Sequence, residues 1–179
     1  VTAVLEDSQG VLWIGTDGGG LNRMDRETGR ITHYRHDPLD CRSLASDSVI
    51  MLHEDSGKRL WVGTWGGGLS LLDPATGRFT HHRHVPGYAA SIVNDSPWCM
   101  YEIGRDRFLV GTEGGGVDVF DAGTGSFSRL AASCPGLPGD GYVHGIARDT
   151  SGKLWLAISQ GVGQAPGIGG IVHEEPGLM

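Results

Sequence analysis

The stretch Leu60 to Asp73 reads LWVGTWGGGLSLLD, and it recurs as LWIGTDGGGLNRMD from Leu12 to Asp25 and as FLVGTEGGGVDVFD from Phe108 to Asp121. Leu12, Leu60 and Phe108 stand 48 residues apart, as do Gly15, Gly63 and Gly111, and Asp25, Asp73 and Asp121. A period of this length marks a repeat architecture assembled from one supersecondary unit. A shorter echo, Leu154-Trp155-Leu156-Ala157, begins 46 residues after Phe108, with Ala157 in place of the repeat glycine and no Gly-Gly-Gly run behind it.

Each period reads as a four-strand meander. Thr2 to Asp7 and Val11 to Thr16 are short apolar runs joined by the turn sequence Asp7-Ser8-Gln9-Gly10, the signature of a hairpin. Gly18-Gly19-Gly20 turns the chain into Leu21 to Met24, the Asp25 to Gly29 turn follows, and Arg30 to His36 alternates as a polar outer strand. The near-continuous apolar second run, with Trp13, Trp61 or Trp155, predicts a strand covered on both faces. Repeated four-stranded antiparallel units of this size predict an all-β fold, a β-propeller or part of one. The blades are expected at about 1–36, 49–84, 98–130 and 142–173. The last is incomplete, since Gln160 to Met179 lacks the Asp-x-x-Thr-Gly turn and supports one weak strand near Gly170 to His173. Propellers have about four to eight blades, so three full units and a partial one predict an arc of a larger ring, with a closed four-bladed module as the alternative. An arc leaves an apolar blade face for further blades of a parent chain, or for self-association, to cover.

Composition excludes several classes. The 179 residues carry a net charge of −7, and nucleic acid, which calls for a basic stripe, is not an expected partner. Cys41, Cys99 and Cys134 are widely spaced and few, so neither a disulfide framework nor a zinc site is indicated. The Gly-Gly-Gly runs are not followed by Lys-Ser/Thr or by a helical pattern, and they read as hairpin turns rather than phosphate loops. Of the histidines in His33 to His36 and His81 to His84, only His82 and His84 share a strand face in a good metal-like pair, against the plain reading of an exposed outer strand. No cofactor or metal is expected. No apolar run is long enough to span a membrane, and no direct membrane contact is expected of this segment.

Ser43-Leu44-Ala45-Ser46-Asp47-Ser48-Val49, Glu54-Asp55, Leu60-Trp61-Val62-Gly63-Thr64, Gly67-Gly68-Leu69 and Asp73 to Gly77 together closely resemble the two-component regulator propeller repeat. The resemblance runs from residue 1 to about 159. It implies a seven-bladed parent propeller and a place in the periplasmic or extracytoplasmic sensor region of a hybrid histidine kinase. The best-known members of that family sense polysaccharide breakdown products, so the implied function is non-catalytic sensing of a small molecule or oligosaccharide. Leu109 in place of the repeat tryptophan, Ile103-Gly104 in place of Glu-Asp, and the tail after Ser159 depart from the pattern.

Scaffold positions serve every blade, whereas a binding face is free to vary. In an up-and-down meander the inter-blade connections and the second-to-third-strand turns emerge on one edge. That edge places Asp17, Trp65 and Glu113 at one repeat position, with His36, Asp37, Asp40, Arg42, His84, Tyr88, Asn94, Asp140 and Tyr142 in or beside the connections. Thr2, Ile50, Trp98 and His144 share the mouth of the innermost strand. Aromatic planes beside carboxylates and amides suit sugar rings, and the ligand-binding residues expected are Asp17, Trp65, Glu113, Trp98, His144, Tyr88, Asn94 and Tyr142. The competing reading packs Trp98 under a loop and Trp65 on a neighbouring blade. A propeller lyase or glycoside hydrolase would instead use Asp17 and Glu113 as acid and base, which requires roughly 5–9.5 Å between carboxylates.

Overall fold

The computed structural model describes residues 1–130, 141–150, 152, 154–159 and 167–172, and within them the ordered elements that recur are antiparallel strands. The first sheet is β1 (Ala3–Glu6), β2 (Leu12–Thr16), β3 (Gly20–Met24) and β4 (Ile31–Tyr34); the second is β5 (Val49–Glu54), β6 (Leu60–Thr64), β7 (Gly68–Asp73) and β8 (Arg78–His82). The third is β9 (Pro97–Gly104), β10 (Arg107–Thr112), β11 (Gly116–Asp121) and β12 (Ser126–Arg129), and the fourth is β13 (Tyr142–Arg148), β14 (Leu154–Ser159) and β15 (Gly167–Val172). In every sheet the strands pair in chain order, which is the meander expected from the turn chemistry. The weak last strand forms at β15, and the rest of the tail from Gln160 onward lies outside the described residues. The chain divides into two compact units, Val1–Arg83 and His84–Met179, each holding two sheets.

Within the first unit the two sheets share one apolar core. Trp13 and Leu21 of the first sheet meet Val49, Leu60, Val62, Leu72 and Phe79 of the second, with Leu44 of the connection. Tyr34 bridges them, its ring 6.0 Å from Trp13 and 5.9 Å edge-on from Phe79. The second unit is built alike, with Leu109 and Val119 against Val143, Leu154 and Leu156. The repeat glycine on the second strand is what lets sheets approach. A Cβ on Gly15 would lie 2.6 Å from Val49 Cγ1, and one on Gly111 would lie 2.8 Å from Val143 Cγ1, so only glycine admits the inner strand of the next sheet. The last glycine of each Gly-Gly-Gly run is fixed by the turn, since Gly68 has φ +80 and a Cβ there would meet His82 O at 2.3 Å.

The aspartate-to-tryptophan spacing is a hydrogen bond. Asp7 accepts from the Trp13 indole at 2.8 Å, Asp55 from Trp61 at 2.9 Å and Asp149 from Trp155 at 2.7 Å. The third sheet has Ile103 and Leu109 at the same two positions, so its two departures from the repeat are one change: donor and acceptor are lost together, and an apolar pair leaves neither unsatisfied. Trp155 corrects the sequence expectation of a doubly covered second strand. It is 37% exposed against 5% for Trp13 and 1% for Trp61, because it lies on the last sheet and no later sheet covers it among the described residues.

The Asp-x-x-Thr-Gly turns close identically, with the Gly29, Gly77 and Gly125 N–H groups donating to Asp25, Asp73 and Asp121 carbonyls, each at 2.8 Å. Hydrogen bonds hold all three carboxyls below the usual range: chiefly from Thr28 N–H for Asp25, the Thr76 hydroxyl for Asp73 and Thr124 N–H for Asp121. A depressed folded-state value contributes stability that is present above about pH 4 and is lost as pH falls through that value. The advantage of wild type over Asp73→Asn in urea melts is therefore expected to shrink as pH drops below about 4; an advantage independent of pH would refute the linkage.

Candidate functional site

The two described connections between sheets use the same fastening. His36 and His84 N–H donate to Asp47 and Asp95 at 2.8 and 2.6 Å, and the same imidazoles' Nδ1 atoms contact Leu44 O and Ile92 O at 2.8 and 2.9 Å. Asp37 and Val85 N–H donate to Ser43 and Ser91 hydroxyls at 2.8 and 3.0 Å. Each connection is also tied to the outer strand of the sheet it enters, through Phe79 N–H to Arg42 O at 2.8 Å and Phe127 N–H to Ala90 O at 2.9 Å. His36, His84, Asp37 and Arg42 thus have structural work. So does Asn94, whose side chain accepts from Ser96 N–H at 2.8 Å, as Asp40 does from Arg42 N–H at 2.9 Å. Tyr88 rides on the outside of its connection at 59% exposure. Asp140 lies outside the described residues.

The series Asp17, Trp65, Glu113 follows β2, β6 and β10, and the backbone of its last two members is pinned. Trp65 N–H donates to Ser48 O at 2.8 Å and Glu113 N–H to Ser96 O at 3.0 Å. Ser48 also donates its hydroxyl to Asp17 at 2.5 Å, so one serine joins the two series members of the first unit. Trp65 keeps 48% of its surface exposed, and Glu113 is half-buried in the second unit.

The structure gathers three predicted residues at the start of the inner strands of the second unit. Trp98 in β9 lies 5.7 Å from His144 in β13, edge to face at 67°, and His144 stacks 6.4 Å from Tyr142 at 13°. Trp98 and Tyr142 are half-buried and His144 is exposed, which leaves a continuous aromatic edge with polar ring atoms. Adjacent Cys99 is no nucleophile: burial pushes its thiol up to about 12, and its Sγ sits 3.6 Å from Val143 O. Aromatic planes set in this way pack on apolar ring faces and hydrogen-bond at their margins.

The metal-like histidine pair does not form. His82 closes β8 with its ring 6.2 Å from Trp61, while His84 has left the strand and clasps its own connection. No cluster of metal-ligating side chains occurs among the described residues.

Comparison with known proteins bears on both fold and repeat. The family described as two component regulator propeller matches residues 1–18 and 43–66, the segments holding the first hairpin and the Ser43 to Trp65 connection and hairpin. The matched segments are two copies of the 48-residue repeat, which are thus similar to that family. Among solved structures, the repeats superpose on the extracellular domain of BT3049 from B. thetaiotaomicron, assigned as a hybrid two component system, with TM-score 0.72 and 29% identity over 88% of this chain and 21% of that one. They also match the extracellular domain of BT4673 from the same organism at TM-score 0.68 and 21% identity, over 88% of this chain and 22% of that one. PorZ of Porphyromonas gingivalis matches at TM-score 0.57 and 14% identity, over 87% and 24%. The chain spans about a fifth of the length of the first two of these structures. No curated protein matches it significantly.

The cross-strand polar pairs of these propeller repeats escaped sequence reading. Asn22 meets His33 at 2.6 Å, Ser70 meets His81 at 2.8 Å, and Asp118 meets Arg129 at 2.9 Å. All six residues keep the 48-residue spacing, so the signal was available as paired variation at two polar positions.

Proposed function

We propose that this chain is a stretch of a non-catalytic, extracytoplasmic sensing propeller of a two-component signalling receptor, and that the Trp98, His144, Tyr142 edge receives a carbohydrate-like ligand. The observation that carries the ligand reading is that edge itself, where three residues from two variable repeat positions converge as stacked and edge-on rings. The signalling context is supported by the 29% identity to the extracellular domain of BT3049. A sensing role rather than catalysis is supported by the engagement of candidate Asp17, whose carboxylate accepts a hydrogen bond from the Ser48 hydroxyl.

The test is a glycan array followed by calorimetry on the oligosaccharides retained. Trp98→Ala is expected to weaken their binding by roughly tenfold, the scale of one aromatic contact, with the fold kept as judged by circular dichroism. Binding unchanged in both Trp98→Ala and Tyr142→Ala would remove the edge from the site, and a wild-type chain that retains no glycan would remove the ligand class.

A further inference from the structure

In the first unit, the edge opposite the connections carries a cleft of about 260 Å³ between the two sheets, flanked by the Asp7 to Val11 and Asp55 to Arg59 turns. Trp13, Leu60 and Leu72 form its apolar wall, and its charged lining is Asp7, Glu54, Arg23, Lys58 and Arg59. That volume stands at the small end of ligand pockets.

Three of the five charges are engaged by the protein. Asp7 accepts from Gln9 N–H, Val11 N–H and the Trp13 indole. Glu54 accepts from the N–H and the hydroxyl of Ser8 at 2.7 and 2.9 Å. Arg59 pairs with Asp55 at 2.6 Å and lies 5.5 Å over the Trp61 ring. The Arg23 guanidinium, whose charge makes a small contribution to lowering the Asp25 carboxyl, and the Lys58 ammonium have no ion pair or side-chain hydrogen bond among the described residues, and both reach the cleft.

Arg23 is also a departure from the repeat. Arg23 stands across from Trp13 where Leu71 stands across from Trp61 and Val119 across from Leu109, so a cation occupies a position that is otherwise apolar. Lys58 occupies the turn position held by Gly10 at φ +80, Asp106 at φ +60 and Gly152 at φ +88, and it does so at φ +64, so the left-handed turn carries a side chain in two copies, and of these only Lys58 brings a cation to the cleft. The apolar cross-strand position does not account for Arg23, and the two cations converge on one cleft.

We propose that this cleft binds a small organic anion, a carboxylate on a short apolar body. The Arg23 guanidinium offers its planar fork and Lys58 a point charge to the carboxylate, and Trp13, Leu60 and Leu72 pack on the body. The proposal is independent of the aromatic edge of the second unit and of any carbohydrate ligand there.

The experiment titrates hexanoate into the isotopically labelled chain and follows the Trp13 indole N–H resonance, assigned with Trp13→Phe. Saturable binding with a dissociation constant on the order of millimolar is expected for so small a ligand. Hexanamide, of the same shape and no charge, should bind at least tenfold more weakly. Arg23→Leu and Lys58→Gly, each installing the residue of another repeat copy and so compatible with the fold, should each weaken hexanoate severalfold and together abolish its preference over hexanamide. Equal binding of hexanoate and hexanamide, hexanoate binding unchanged in the double variant, or no saturable shift in wild type would overturn the proposal.

Discussion

Trp61→Ala is expected to lower the unfolding free energy of the chain by about 3–5 kcal/mol, and Trp65→Ala, four residues along, to change it by no more than about 0.5 kcal/mol. Trp61 is 1% exposed and Trp65 48%, so truncation opens a cavity at the first and only trims the surface at the second. Trp61 also donates to Asp55, whose side chain is fully buried. Burial opposes the charge on Asp55, but hydrogen bonds from Arg59 N–H, the Trp61 indole and the Arg59 guanidinium outweigh it and hold the carboxyl below its usual range. Removing the indole leaves Arg59 as its remaining side-chain donor among these. Trp61→Leu paired with Asp55→Ile installs what the third sheet already has in Leu109 and Ile103, and the double variant is expected to be more stable than the sum of the single losses implies. Urea melts of the four proteins measure that coupling; strict additivity would show that the indole and the carboxylate are independent, against the geometry.

Sheet number, strand order and turn positions were legible because they rest on local chemistry stated three times over: a glycine run at a hairpin, an Asp-x-x-Thr-Gly turn, an apolar second strand. The same repetition concealed what is not local. That Asp55 and Trp61 form one unit depends on strand register, and their hydrogen bond is what explains why both positions change together at Ile103 and Leu109. His84 reads as strand-borne beside His82, yet β8 ends at His82 and the imidazole is taken up by Ile92 O. Asn94 reads as an amide facing ligand, and its side chain is used to turn the connection. Trp98, His144 and Tyr142 were expected on one edge from repeat equivalence and chain position, and the ring distances place them there in contact. The cleft at Arg23 and Lys58 could not be anticipated, because it depends on which turn of one sheet faces which strand of its neighbour.

The cross-strand pairs lead to the second large expected effect. Positions 22, 70 and 118 face positions 33, 81 and 129, and the pair is an amide with imidazole, then a hydroxyl with imidazole, then a carboxylate with guanidinium. Burial, with a smaller contribution from the charge of Arg83, pushes the His81 imidazole down, so the second pair stays neutral at physiological pH. The third pair is the ionic one, and its carboxylate is the more deeply placed partner: Asp118 is 1% exposed, accepting from Val93 N–H at 2.8 Å and from Arg129 at 2.9 Å. It therefore fastens the connection to the third sheet, and Asp118→Ala, which removes the acceptor of Val93 N–H and the partner of Arg129, is expected to cost about 1–3 kcal/mol. Asp118→Asn keeps an acceptor and removes the charge, which separates the hydrogen bonds from the ionisation. Burial pushes the Asp118 carboxyl above its usual range, against the hydrogen bond from Val93 and the charge of Arg129. A raised folded-state value contributes stability that is fully present below the unfolded value of about 4 and is lost as pH rises through the folded one. Its sign is opposite to that of the turn aspartates, which are unchanged in Asp118→Asn and cancel in the comparison. Urea melts across pH 3.5–7 should thus show wild type losing ground to Asp118→Asn as pH rises above about 4. Wild type gaining ground over that range would mean that the pairing with Arg129 outweighs burial, and that the carboxylate is held in its charged form as a net stabiliser of the connection.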